Sequence, residues 1–151
     1  MTFHKNVTLA EFERLNSQIN ELYYEIAVSQ GLSESAYAIL EAILTLGDGC
    51  TQTEIFRHTG LNKQTVNSSV KRLKQDGWIT LQPGNGRELK IFLTESGEKL
   101  VTEKILPIEQ AESAVFDEMT EQEQAEILRL VNKYLSSYRD KVKKITEIKG
   151  V

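Results

Sequence analysis

Apolar residues recur at intervals of three and four along most of this chain, and at intervals of two in one short stretch. The first spacing lines one face of a helix, the second one face of a strand. Phe12, Leu15, Ile19, Leu22, Tyr23 and Ile26 predict a long first helix, opened by a capping box of Thr8 and Glu11 and stopped by Gly31. Ala36, Ile39, Leu40, Ile43 and Leu44 predict a second over 33–45, broken by Gly47-Asp48-Gly49. A second capping box, Thr51 and Glu54, opens a short third helix that Gly60 ends. Asn62 caps a fourth, which runs to about residue 76 and stops at Gly77.

The period then changes. Trp78-Ile79-Thr80-Leu81-Gln82 reads as a strand, Pro83-Gly84-Asn85-Gly86 as a tight turn, and Leu89-Lys90-Ile91-Phe92-Leu93 as the returning strand. Thr94 caps a fifth helix with Val101, Ile105, Ile108, Val115 and Met119 along one side. Pro107 lies within it without an amide hydrogen, which predicts a kink or break. Thr120 and Glu123 form a third capping box, before a helix carrying Ile127, Val131, Tyr134, Tyr138, Val142 and Ile145.

Helices followed by a hairpin, with a glycine-bearing turn between the third and fourth helices, describe a winged helix-turn-helix. The predicted fold is mainly α with one β-hairpin, in a single domain. Residues 32–94 form the DNA-reading lobe, and 8–31 and 95–148 supply helices for a dimerisation stem. Those outer helices carry more apolar surface than so small a lobe can cover, which predicts a homodimer.

Composition sharpens this picture. With 151 residues, 40% hydrophobic, the chain can build a core, and only two prolines among them argue for long helices. No apolar run reaches the roughly 18 residues of a membrane span, and Met1-Thr2-Phe3-His4-Lys5-Asn6 has no signal-like apolar stretch, so a cytoplasmic location is expected. The net charge of −4 is unpromising for nucleic acid, but its distribution is uneven. Residues 62–94 hold six basic and two acidic residues, whereas 95–123 hold nine acidic and two basic. A basic segment inside an acidic chain is a local electrostatic footprint.

The candidate chemistry follows the fourth helix. The major groove admits one α-helix, which needs an apolar face for its seat and a hydrogen-bonding face for the bases. Val66, Val70 and Leu73 supply the first; Gln64, Thr65, Asn67, Ser68 and Lys71 supply the second. Gln and Asn pair bidentately with adenine, and a Thr methyl meets the thymine methyl. Lys71, Arg72 and Lys74, later on the helix, are placed for phosphates, as is Lys63 near its start, with Thr51 and Thr53 at the start of the third helix. At the hairpin tip, Asn85, Arg87 and Lys90 are expected at the DNA, with Arg87 in the minor groove. No metal-ligand spacing, nucleophile elbow or paired catalytic carboxylate occurs, so neither an enzyme nor a cofactor is expected.

The stretch Thr53-Glu54-Ile55, Thr59-Gly60-Leu61-Asn62-Lys63-Gln64-Thr65-Val66, Val70-Lys71-Arg72-Leu73 and Gly77-Trp78-Ile79 resembles the reading unit of the MarR family of transcriptional regulators. Leu93-Thr94-Glu95-Ser96-Gly97 is similar to the family's "LT-x-x-G" exit from the wing. Where that family's wing usually carries Asp-x-Arg, this chain has Asn85-Gly86-Arg87, which keeps the arginine and replaces its acidic partner with an amide. The resemblance implies a dimer joined by its first and last helices, bound to double-stranded DNA. It also implies release by a small aromatic or phenolic effector between stem and reading lobe, where Tyr23, Tyr24 and Tyr37 are the candidate lining.

Two other readings compete. One is a winged-helix protein-interaction module without DNA binding, in keeping with the acidic balance. The other is a thiol-based redox switch at Cys50, the only cysteine, which directly precedes the cap of the third helix.

Overall fold

The computed structural model describes residues 4–86 and 88–146. The chain divides between Glu109 and Gln110 into two compact units. The first opens with helix α1, Val7–Ser29. Asn6 caps it, its side chain accepting from the Leu9 amide at 3.0 Å, so Thr8 is not the cap and lies inside the first turn. Glu11 instead grips Arg14, with its two oxygens 2.6 and 2.9 Å from the guanidinium nitrogens. Gly31 takes a φ of 73° past the helix end, and the Leu32 amide donates back to the Ala27 carbonyl at 3.0 Å. Leu32 is thereby turned into the core.

Helix α2, Glu34–Leu46, is the centre of this unit, with Ile39, Leu40, Ala42 and Ile43 fully buried. Helices α3, Gln52–Thr59, and α4, Lys63–Gln75, pack on it through Ile55 and through Val66, Val70 and Leu73. The expected hairpin is present as β2, Ile79–Pro83, and β3, Leu89–Leu93. A short strand β1, Cys50–Thr51, joins it, giving an antiparallel sheet of order β1-β3-β2 in which Ile91 lies opposite both Cys50 and Leu81. The fold is therefore mainly helical with a winged sheet of three strands, one more than the hairpin alone.

The base of the wing is tied on both sides. Asp48 Oδ1 accepts from the Leu93 amide at 2.8 Å, and the Gly49 amide donates to the Ile91 carbonyl at 2.7 Å. The Thr94 hydroxyl donates to the Gly77 carbonyl at 2.6 Å and accepts from the Gly97 amide at 3.1 Å. Thr94 thus caps helix α5, Glu95–Leu100, while closing the loop that leads into β2.

Pro107 does not simply kink the next helix. A π-helical turn, Val101–Ile105, precedes helix α6, Leu106–Asp117, and the Leu106 amide reaches five residues back to the Val101 carbonyl. A proline ring crowds the carbonyl four residues before it, and a widened turn just upstream relieves that crowding. Val101 and Ile105, in the π turn, complete the core of the first unit. The Lys104 ammonium donates to the carbonyl of Gln30 at 2.8 Å, satisfying the end of α1.

The second unit is dominated by helix α7, Glu121–Lys143, which starts at the capping box of Thr120 and Glu123. The Gln124 amide donates to the carbonyls of Phe116 and Met119, fixing the turn before it. Helix α7 contains no buried residue. Ile127, Val131, Tyr134, Leu135 and Tyr138 stay exposed along it, and Phe12, Leu15, Ile19 and Leu22 do so along α1.

Candidate nucleic-acid interface

The exposed face of α4 is set by how the helix is anchored. Asn62 Oδ1 accepts from the Thr65 amide at 2.8 Å, which starts the helix. Val66, Val70 and Leu73 sink into the core, and the Ser69 hydroxyl donates to Ser35 Oγ of α2 at 2.9 Å. The helix cannot roll about its axis without exposing three buried side chains. Gln64, Asn67, Ser68 and Lys71 are consequently exposed, and Thr65 is half-buried at their edge. The Ser68 hydroxyl donates to the Thr65 carbonyl at 3.0 Å, so it faces outward mainly as an acceptor. Arg72 is 81% exposed, and its contact with Asp76 is a long 3.9 Å. Such an exposed pair is weak and leaves the guanidinium available to a phosphate. Lys74 is exposed in the same last turns.

Lys63, at the first position of α4, lies with its ammonium 5.5 Å from the centroid of the Phe56 ring. Thr53 is exposed beside it on α3, where Gln52, Thr53, Phe56 and Lys63 line a shallow depression. Thr51 is different from expectation. It is 93% buried, at 7% exposure, and both its amide and its hydroxyl donate to Glu54 Oε2 at 2.8 and 2.9 Å. A hydroxyl spent inside a capping box is not a phosphate donor, so Thr51 holds α3 in place instead. The amide and hydroxyl of Thr51 hold the Glu54 carboxyl below the usual carboxylate range, helped by the charges of Arg57 and Lys90. Arg57, exposed in the last turn of α3, is a basic residue that the sequence reading passed over. Its signal was present, since it lies in the last turn of a short amphipathic helix, whose partly negative C-terminal end favours a cation.

In the wing, the Gly84 amide donates to the Glu88 carbonyl at 2.9 Å, and the Glu88 amide to the Asn85 carbonyl at 3.3 Å. Asn85 is exposed at the tip, and Gly86 takes a φ of 66° that few side chains tolerate. Lys90 is exposed on β3, opposite Thr51 on one side and Gln82 on the other. Arg87, the expected minor-groove residue, lies outside the described residues.

The regulatory candidates fare unequally. Cys50 is buried, and burial, with the nearby Glu54 and Asp48 carboxylates, pushes its thiol up to about 11. Burial and the two carboxylates disfavour the thiolate that a redox switch needs, which argues for a structural cysteine in place of the expected thiol switch. Tyr37 is also buried, its hydroxyl donating to Glu109 Oε1 at 3.0 Å. Tyr23 and Tyr24 are exposed on α1. Among the described residues there is no cluster of His, Cys, Asp or Glu arranged for a metal, and no helix long and apolar enough to cross a membrane.

Comparison with known proteins agrees with this geometry. Residues 30–88 match the profile of the MarR family. The uncharacterized HTH-type transcriptional regulator YwoH of Bacillus subtilis is 34% identical over 70 residues, 46% of this chain, and the match spans about half the length of that relative. In fold, the chain is similar to a MarR family regulator from Neisseria meningitidis, with a TM-score of 0.80 at 21% identity over 94% of this chain and 100% of that one. It is also similar to BpsR of Bordetella bronchiseptica, whose DNA binding is regulated by 6-hydroxynicotinic acid, with a TM-score of 0.63 at 20% identity over 88% and 98% of the two chains. Residues 30–88 thus match the MarR family model over a winged helix-turn-helix lobe, and the chain has the fold of solved MarR family regulators.

Proposed function

We propose that this chain is a sequence-specific DNA-binding transcriptional regulator that acts as a homodimeric repressor on a pseudo-palindromic operator. One observation carries the reading. Val66, Val70 and Leu73 lock α4 so that Gln64, Asn67, Ser68 and Lys71 face solvent beside a three-stranded wing. That combination suits a helix laid in a major groove with basic side chains on the flanking phosphates. In this reading residues 32–94 read DNA, while 8–31 and 95–148 build the dimer.

The apolar residues exposed on α1 and α7 support the dimer, since a monomer leaving them in water forfeits their burial. Two copies would present reading helices about 34 Å apart, one turn of B-DNA. A cytoplasmic location goes with this role. The effector is a small aromatic acid, by likeness to the 6-hydroxynicotinic acid of BpsR, with Tyr23 and Tyr24 near its site. Tyr37 contributes indirectly through its bond to Glu109.

Selection of bound duplexes from a random-sequence pool tests the reading. Enrichment of an inverted repeat is expected, and aromatic acids added to the resulting complex then identify the effector by release. Recovery of no motif, with no binding even at low salt, would favour a winged-helix module that contacts protein instead.

A further inference from the structure

The cationic groups at the interface are not equivalent. Lys71, Lys74 and Lys90 project from exposed positions on α4 and β3. Lys63 is held: its ammonium sits 5.5 Å from the centre of the Phe56 ring, which is itself half-buried and packed against the core. Among the described residues, no carboxylate lies within ion-pair distance of Lys63. The ring is therefore the group that orients it. An aromatic face attracts a cation without taking up its hydrogens in strong hydrogen bonds, so the ammonium keeps its donors for an incoming oxygen. The same two side chains, with Gln52 and Thr53, line one depression at the start of α3 and α4.

We infer that Phe56 is a positioning residue for DNA binding, pre-orienting Lys63 to take one backbone phosphate over this depression, with the Thr53 hydroxyl at its edge. A lysine free in solution gives up much side-chain freedom on binding, and the ring meets part of that loss before DNA arrives. Phe56 packs against the core, so Lys63 is referenced to the same frame that seats α4. The phosphate fixes register and carries no sequence information. This inference rests on the DNA-binding reading above.

The test is a double-mutant cycle on a mixed-sequence duplex, with affinity measured over a range of salt for the full chain. Lys63→Ala should lower the salt slope by about 0.9, one phosphate contact. Phe56→Leu keeps an apolar side chain but removes the π face, and should weaken binding about two- to fivefold, the worth of an exposed cation–π contact. In the Lys63→Ala background, Phe56→Leu should have no further effect on affinity. Phe56→Tyr should restore wild-type binding, and thermal melts identify any variant that fails to fold. If Phe56→Leu weakens binding equally with and without Lys63, the ring is merely structural and the inference is overturned. If Lys63→Ala leaves the slope unchanged while the wild type binds DNA, the inference falls and the DNA-binding reading survives. Wild-type protein that binds no duplex at low salt overturns both.

Discussion

A Cβ atom placed on Gly97 would lie 1.9 Å from the carbonyl oxygen of Trp78. That carbonyl also accepts the Thr94 amide at 3.1 Å, so neither partner is free to withdraw. The glycine of the Leu93-Thr94-Glu95-Ser96-Gly97 stretch is needed because α5 crosses the base of the wing with backbone against backbone. Gly97→Ala should destabilise the fold by about 1–3 kcal/mol, the range for overpacking a close contact. Urea unfolding checks this, and an unchanged midpoint would show that α5 shifts at no cost.

Helix α4 depends on its cap. Asn62 Oδ1 accepts from the Thr65 amide, a first-turn donor with no partner inside the helix. Asn62→Ala should cost about 1 kcal/mol of stability, whereas Asn62→Asp or Asn62→Ser should cost less, since either retains a capping oxygen. Chemical denaturation of the three variants provides the comparison.

Cys50 should resist modification. Its thiol is held near 11, so the thiolate is scarce at neutral pH and appears only in strongly alkaline solution. In the unfolded chain the thiol ionises at lower pH than in the fold, so its contribution to stability is lost as the pH rises from the ordinary cysteine value towards 11. Alkylation of the native protein should be slow at pH 7 and fast only after unfolding. Cys50→Ser should leave the response of DNA binding to peroxide unchanged.

The apolar residues along α1 and α7 predict association. Ile19→Glu or Leu135→Glu places a charge among them and should shift the sedimentation coefficient from dimer to monomer. A monomeric wild type at micromolar concentration would remove the basis for reading an inverted repeat.

Local chemistry was the legible part of the sequence. The capping boxes at Thr51 and Thr120, the Asn62 cap and the glycine stops each involve residues within five positions of one another. The alternation from Ile79 to Leu93 exposed the wing for the same reason. Strand β1 was hidden because it has two residues, and its partner Ile91 is far along the chain. Thr8 was mistaken for the first cap because Thr8 and Glu11 fit the motif, while Asn6, two residues earlier, does the work. Pro107 announced an irregularity, but not that a π turn ending two residues upstream would absorb it. For the interface, exposure of Gln64, Asn67 and Lys71 followed from helical spacing, whereas burial of Thr51 followed from a pairing across the sheet that spacing does not reveal.

The most direct test compares two kinds of substitution on α4 by fluorescence anisotropy, using a selected operator and a scrambled duplex over a range of salt. Lys71→Ala should weaken binding to both duplexes alike and lower the salt slope by about 0.9. Gln64→Ala and Asn67→Ala should leave the slope unchanged while each erodes preference for the operator by about 1–3 kcal/mol. If neither kind of substitution alters binding to either duplex, α4 is not the reading helix.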